Sequence, residues 1–507
     1  MLATVNGASL RGIDALRVEV EVDITTGLPQ LAMVGLPEGA VRESKDRVRA
    51  ALRNCGYTFP PKKLIINLAP ADLKKEGTGY DLPVAMAIVA AEGLVASPRL
   101  RDYLMVGELS LDGSVRPIRG ALPIAVAAQV HGFSGLILPS ANSNEAALVQ
   151  NLDVLGVDNL AQVVDFFRER LVLEPTVVDV ATLLQQHSGY PDDFADVKGQ
   201  QHVKRALEVA AAGAHNVLLV GPPGSGKTML AKRLPGILPA LTLAEALETT
   251  KIHSVAGVLG EQPLVSTRPF RSPHHTISDA GLVGGGQHPR PGEVSLAHHG
   301  LLFLDEAPEF RRNVLEVLRQ PLEDGSITVA RVAGSVNFPA KFMLVAAMNP
   351  CPCGFLTDLQ KECNCTPAHI LRYRSKVSGP LLDRIDIQVE VPAVPYRDLV
   401  GRSTGESSRT ILERVVAARS RQARRFANQG VSANARMGAQ DIKRHCAVDA
   451  EGARLLETAI NKLGLSARAY TRILKVCRTI ADLDSSEAIR AAHIAEAIQY
   501  RSLDRTP

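Results

Sequence analysis

The sequence predicts an α/β fold organised around a phosphate-binding loop, with an α+β region before it and an all-helical region after it. Three observations predict this. The apolar run 217–220 leads into Gly221-Pro222-Pro223-Gly224-Ser225-Gly226-Lys227-Thr228, and Met229-Leu230-Ala231 then opens a helical pattern. Strand, glycine-rich loop and helix in that order is the setting in which G-x-x-x-x-G-K-[ST] cradles phosphates. A second apolar run, Gly300-Leu301-Leu302-Phe303-Leu304, ends in Asp305-Glu306. Beyond residue 408 the apolar spacing is helical over 408–428, 439–463 and 486–502.

Length and composition set the frame. A chain of 507 residues holds about three domains of ordinary size. Hydrophobic residues at 46% and charged residues at 22% are globular values and exclude a disordered chain. The most apolar stretch, 82–91, is interrupted by Pro83 and stopped by Glu92, short of the ~18 residues a membrane span needs. The start, Met1-Leu2-Ala3-Thr4, lacks the basic and apolar segments of an export signal. The expectation is a cytoplasmic protein with no membrane partner, whose seven cysteines are not a disulfide framework. The net charge of +4 is uneven: residues 395–507 carry 20 Lys and Arg against 12 Asp and Glu, +8 net, which leaves −4 for the rest. A basic C-terminal segment suits nucleic acid, and a solvated helix face explains it nearly as well.

Residues 1–172 alternate short strands and helices. Residues 17–24 alternate with period two, and 63–68 form a buried-strand candidate. Residues 38–54 are helical, with Arg42, Lys45, Arg49 and Arg53 along one side, read as a solvent face. Pro175, Pro191 and the polar run between them mark 173–193 as a linker. From Phe194 the pattern changes to the core, 194–395, followed by the helical part, 396–507.

The core residues carry the chemistry. Backbone N–H groups of the loop turn inward toward phosphate oxygens, and the following helix adds its positive end. Lys227 would reach the β- and γ-phosphates of ATP, and the Thr228 hydroxyl would ligate Mg2+. Asp305, delivered to the carboxyl edge of the sheet, would hold the metal through water. Glu306 would polarise the attacking water. A further strand, 342–347, ends in Met348-Asn349-Pro350.

The gap from Lys227 to Asp305 is long. It includes Arg268-Pro269-Phe270-Arg271-Ser272-Pro273-His274-His275-Thr276 and Gly284-Gly285-Gly286-Gln287-His288-Pro289-Arg290-Pro291-Gly292, whose composition makes loops. Residues 328–339 read as a β-hairpin. Arg331 and Lys341 there, with Arg271, His274 and His275, are the candidate DNA contacts. The histidine pairs are sequential, so diverging side chains are expected and a metal is not. Cys351-Pro352-Cys353 and Cys363-Asn364-Cys365 flank nine residues. Two close thiolate pairs suit a tetrahedral structural Zn2+, and the alternative is four reduced thiols.

Several runs resemble known families. Asp72 to Ala87, Val106 to Gly120 and Ile137-Leu138-Pro139 resemble the proteolytic domain of Lon-type proteases, an α+β fold of the ribosomal S5 domain 2-like type. Aligning them puts Asp81 at the place of the nucleophilic serine and Leu122 near that of the lysine, so no Ser–Lys pair can form. Asp196-Val197-Lys198-Gly199-Gln200 looks like the entry to an AAA+ module, a P-loop NTPase core with an α-helical lid. In that resemblance Asn349 helps to position the lytic water. Gly379-Pro380-Leu381-Leu382-Asp383-Arg384-Ile385-Asp386 resembles the arginine-finger run of the magnesium-chelatase branch. Arg384 would then meet the γ-phosphate held by a neighbouring subunit, against the alternative of an Arg384–Asp386 surface pair. Leu465 to Arg472 resembles the second sensor motif, with Arg468 as the residue touching nucleotide and Arg472 as its rival.

Pro269 to Thr276, Ala297 to Phe310, Met348 to Gly354 and Ser378 to Asp386 together resemble the YifB/ComM group of magnesium-chelatase-like AAA+ ATPases. The sequence departs from that group at His299, where asparagine is expected. The resemblance implies a homo-oligomeric ring, six subunits being usual, that hydrolyses ATP to drive branch migration of single-stranded or branched DNA in natural transformation. A magnesium-chelatase subunit and an ATP-dependent protease regulator are the other readings. The first 170 or so residues count against the former, and the missing Ser–Lys pair against the latter.

Overall fold

Alternation along Asp14–Thr25 buries Val18, Val20, Val22 and Ile24 on one face, as a half-covered strand requires. The computed structural model describes residues 1–75, 77–186, 189–260, 262–286, 289–331, 334–356, 358, 361–394, 405–427 and 431–501. The chain divides into two units, Met1–Gln186 with Leu243–Ser266, and His187–Thr242 with Thr267–Pro507.

The first unit is built on a seven-stranded mixed sheet. Its order is Gln30–Val34, Lys63–Ala69, Asp14–Thr25, Leu2–Arg11, Tyr103–Met105, Gly135–Pro139, Asp153–Val157. Helix Asp81–Ala91 is apolar on all sides and buried, with Pro83 in its first turn, where no N–H is missed. Helix Gly39–Asn54 fits its sequence reading, and its Arg47 reaches Asp81. Residues 243–266 lie inside the stretch that the sequence assigns to the core, yet they fall in the first unit. Within that unit, Ser254 on helix Leu243–Ala256 donates to the buried Glu145 carboxylate. Glu145 also accepts from the Leu122 N–H at 2.8 Å. Residues 173–193 are not plain linker: Val180–Gln186 is helical, while 187–188 lie outside the described residues.

The second unit holds a five-stranded parallel sheet in the order Phe270–Arg271, Leu301–Leu304, Met343–Met348, Val217–Val220, Ile387–Glu390. Three of these strands are buried at every position, which is why they read as unbroken apolar runs. Strand Val217–Val220 lies between one strand from far downstream and another that follows 343–348, the reversal of order beside which phosphate ligands bind. The helices Ser408–Arg425, Ala467–Leu483 and Ala491–Gln499 pack into the same core.

The helix read over 439–463 is in fact two, Ala439–His445 and Ala450–Leu463. Asp449 restarts it by accepting from the Gly452 N–H at 2.7 Å, a cap that contributes about 1 kcal/mol. Val448 meanwhile bridges to Ile489. The last helix begins at Ala491 rather than 486, and residues 502–507, with 395–404, lie outside the described residues. Among the described residues no helix is long and apolar enough to cross a membrane.

Candidate nucleotide-binding site

Every strand of the parallel sheet delivers its following residue to one edge, and three of them carry the site. Gly221 follows Val220, Asp305 follows Leu304 and Asn349 follows Met348. The loop must begin with glycine: a Cβ on Gly221 would lie 2.1 Å from the Val391 carbonyl oxygen. Gly226, at φ +89°, turns the chain into helix Lys227–Arg233. Gln200 braces the loop from outside, its side-chain amide donating to Ser225 O at 2.9 Å and to Pro392 O at 2.8 Å.

Inside the loop, the Lys227 ammonium donates to Gly221 O at 2.7 Å, Pro222 O at 2.9 Å and Asn349 Oδ1 at 3.2 Å. Burial pulls its pKa below the usual lysine range, and Asp305 and Glu306 oppose that pull. Thr228 Oγ1 donates to Asp305 Oδ2 at 2.6 Å, so the two groups read as magnesium ligands meet. The Ser225 hydroxyl is buried and has no hydrogen-bond partner among the described residues. An orphaned donor beside a lysine and a Thr–Asp pair fits a magnesium-bound triphosphate. Glu306 is exposed and has φ +52°, a left-handed conformation that strains a non-glycine residue at the strand end. Its N–H donates to Asp305 Oδ1 at 3.0 Å.

The two arginines lie elsewhere. Ile387 is opposite Val217 in a parallel register, so Arg384 and Asp386 precede the strand at the amino edge. Asn216 fastens that edge, donating from Nδ2 to Arg384 O at 2.9 Å and from its backbone N–H to Asp386 Oδ2 at 3.1 Å. From Asn216 to Gly221 a strand spans about 16 Å, so Arg384 is across the sheet from the chain's own Lys227.

Arg384 is buried and pairs with Glu323, whose side chain is 54% exposed. Both line an open cavity of ≈ 470 Å³ that also includes Arg319. The pairing expected as the alternative, Arg384 with Asp386, does not form. Asp386 is taken by Arg472, which also donates to Arg384 O at 3.3 Å. Arg468 is 67% exposed and lies 3.8 Å from Asp383. Thus Arg472 is committed to the fold while Arg468, on the same edge as Arg384, faces solvent.

The candidate DNA contacts fare unevenly. Lys341 is exposed beside the hairpin Ser326–Arg331/Gly334–Pro339. Arg331 ends its first strand, and its side chain lies outside the described residues. Arg271 is held by Glu293 through two bonds of 2.6 and 2.7 Å, so its charge is already neutralised inside the fold. His274 is exposed and its Nδ1 is 2.9 Å from Thr276 Oγ1. The expected divergence of neighbouring histidines does not occur, since the rings of His274 and His275 are 4.1 Å apart. His299, where the resemblance implies asparagine, has φ +55°, a conformation that asparagine tolerates well.

Sequence reasoning assigned no role to Gln200, Glu323, Tyr373 or Arg374. The last two lie on helix Pro367–Arg374, which supports Asn349 and Pro350 from behind. Arg374 donates to Pro350 O at 3.1 Å. Tyr373 bonds the Asn349 backbone, and burial pushes its hydroxyl up to about 12, so it stays protonated. The signal available was only an Arg-Tyr-Arg run after the cysteines. In the first unit, Asp81, which the resemblance aligns with a protease nucleophile, is locked to Arg47 at 2.7 and 3.0 Å and to the Leu109 N–H at 3.1 Å.

Fold and site together define an AAA+ core of the magnesium-chelatase type, with a helical C-terminal region. The sequence matches the family described as Magnesium chelatase, subunit ChlI over residues 193–399. It matches Subunit ChlI of Mg-chelatase over 20–142, and the ChlI C-terminal family over 405–501. It is 46% identical over 507 residues to the uncharacterized protein YifB of Escherichia coli K12, covering 99% of this chain and 98% of that one. It is 45% identical over 508 residues to the competence protein ComM of Haemophilus influenzae, with the same coverage. The magnesium-chelatase 38 kDa subunit of Rhodobacter capsulatus is 26% identical over 225 residues, 40% of this chain and 60% of that subunit. The chain belongs to the YifB/ComM family of magnesium-chelatase-like proteins.

Proposed function

We propose that this protein is a ring-forming ATPase that moves DNA, a branch-migration helicase that promotes the integration of incoming DNA. One observation carries the reading: the residues suited to hold and cleave a nucleoside triphosphate are on one edge of the sheet, and the cations suited to assist are on the other. A residue across the sheet cannot reach its own chain's phosphate loop, so Arg384 serves the nucleotide of a neighbour. Arg468 joins it from the same edge.

The chain's own residues divide the work. Lys227 and the loop N–H groups neutralise phosphate charge, and Thr228 and Asp305 provide oxygen ligands for magnesium. Glu306 orients and polarises the attacking water, aided by Asn349. Arg384 of the adjoining chain exchanges the Glu323 carboxylate for the γ-phosphate as charge develops there. The name of the Haemophilus relative supports a role in competence, and the basic Lys341 beside the hairpin supports a nucleic-acid substrate. The Asp81–Arg47 pair counts against protease chemistry.

The test is ATP turnover with and without forked or single-stranded DNA, together with strand displacement. DNA should stimulate turnover, and Lys227→Ala should abolish displacement. Unwinding that survives in that variant refutes the motor.

A further inference from the structure

Four sulfur atoms gather directly behind the strand end that carries Asn349. The Sγ atoms of Cys351, Cys353, Cys363 and Cys365 all lie within 4.8 Å of one another. Cys351 and Cys353 are 3.3 Å apart, and each is 3.6 Å from Cys363. Four thiolates about 2.3 Å from a tetrahedral zinc stand about 3.8 Å apart, so this spacing is near that of a closed site. All four are free cysteines.

The cluster bears on the nucleotide site from two sides. Gly354, one residue after Cys353, packs so tightly on the phosphate loop that a Cβ there would be 2.5 Å from Pro223 Cδ. Its N–H donates to Cys351 O at 3.0 Å, which closes the turn. On the other side Cys351 is two residues from Asn349, the partner of Lys227, and is completely buried.

We propose that Cys351, Cys353, Cys363 and Cys365 hold one Zn2+ ion, and that the metal-held loop positions Pro223 and Asn349 and so sets nucleotide affinity. Four thiol protons leave to solvent as the ion enters. Thiolates select zinc, while the oxygen ligands Thr228 and Asp305 select magnesium, so the two metals do not compete. The coupling rests on the reading of Gly221–Thr228 as a nucleotide site, but the metal does not.

The experiment uses the full-length chain. Zinc is quantified by elemental mass spectrometry, and affinity is measured by titration with a fluorescent ATP analogue. One zinc per chain is expected, lost in the double variant Cys363→Ser/Cys365→Ser, with nucleotide affinity weakened about tenfold. Should that variant fail to fold, Co2+ exchanged into the unaltered chain gives the thiolate charge-transfer bands of a tetrahedral site. Zinc at background level without those cobalt bands overturns the metal site. Stoichiometric zinc whose removal leaves affinity unchanged overturns the coupling. Zinc in a chain that binds no nucleotide upholds the metal, and overturns both the coupling and the nucleotide reading.

Discussion

The two edges of the five-stranded sheet are built in opposite ways. At the carboxyl edge, the Ser225 hydroxyl has no hydrogen-bond partner among the described residues, and Glu306 sits in a strained conformation. At the amino edge, Asn216, Asp386 and Arg472 form a network beside Arg384, which is buried against Glu323, and beside the exposed Arg468. Burial and the nearby charges of Arg319, Arg468 and Arg472 pull Arg384 below its ordinary pKa, against Glu323. Each of these cations has a carboxylate beside it, Glu316 for Arg319, Glu323 for Arg384, Asp383 for Arg468 and Asp386 for Arg472, so on the proposed function Arg384 must exchange Glu323 for a neighbour's phosphate. On the proposed function, each chain carries two halves of different sites.

Substitutions at each edge should therefore fail differently. Lys227→Ala should have the largest effect, removing ATP turnover together with nucleotide binding in a direct titration. Arg384→Ala should lower turnover by about 10³-fold while the chain still binds nucleotide. If it abolished binding as Lys227→Ala does, the division between the edges would fail.

Asp386 tests the network that holds the cationic edge. Burial disfavours its charge, but Arg472 and His215 outweigh that and hold it well below the usual carboxylate range. Its folded pKa is depressed, so its contribution is complete above the unfolded value of about 3.9 and is lost as pH falls below it. Asp386→Asn should cost about 3–5 kcal/mol at pH 7 in denaturant unfolding, with a smaller difference from the unaltered chain at acid pH. Arg468→Ala should be milder, about tenfold in turnover, because the residue is exposed and screened. An equal effect from Arg472→Ala without loss of stability would reverse their assigned roles. His299→Asn should be smallest, a gain of about 0.5 kcal/mol or less from relieved strain, read as a thermal shift.

Much of this was legible in sequence because the chemistry is local. Gly221 to Thr228, Asp305 with Glu306, and the hairpin each announce themselves within a dozen residues, and buried parallel strands leave unmistakable apolar runs. What was hidden depends on partners far along the chain. Arg271 reads as a free cation until Glu293 is found beside it, and Arg472 looks equal to Arg468 until Asp386 claims it. The break at 446–449 was masked because continuous helical periodicity outweighed one capping aspartate. Residues 243–256 gave no sign that they belong with the first unit, since that grouping is set by packing and not by pattern.

The most direct measurement mixes two inactive chains. Lys227→Ala retains Arg384, and Arg384→Ala retains Lys227, so a mixed ring contains some seams with both. Equal amounts should recover roughly a quarter of normal ATP turnover, the share of intact seams under random head-to-tail assembly. A mixture no more active than either chain alone would contradict a site shared between neighbours.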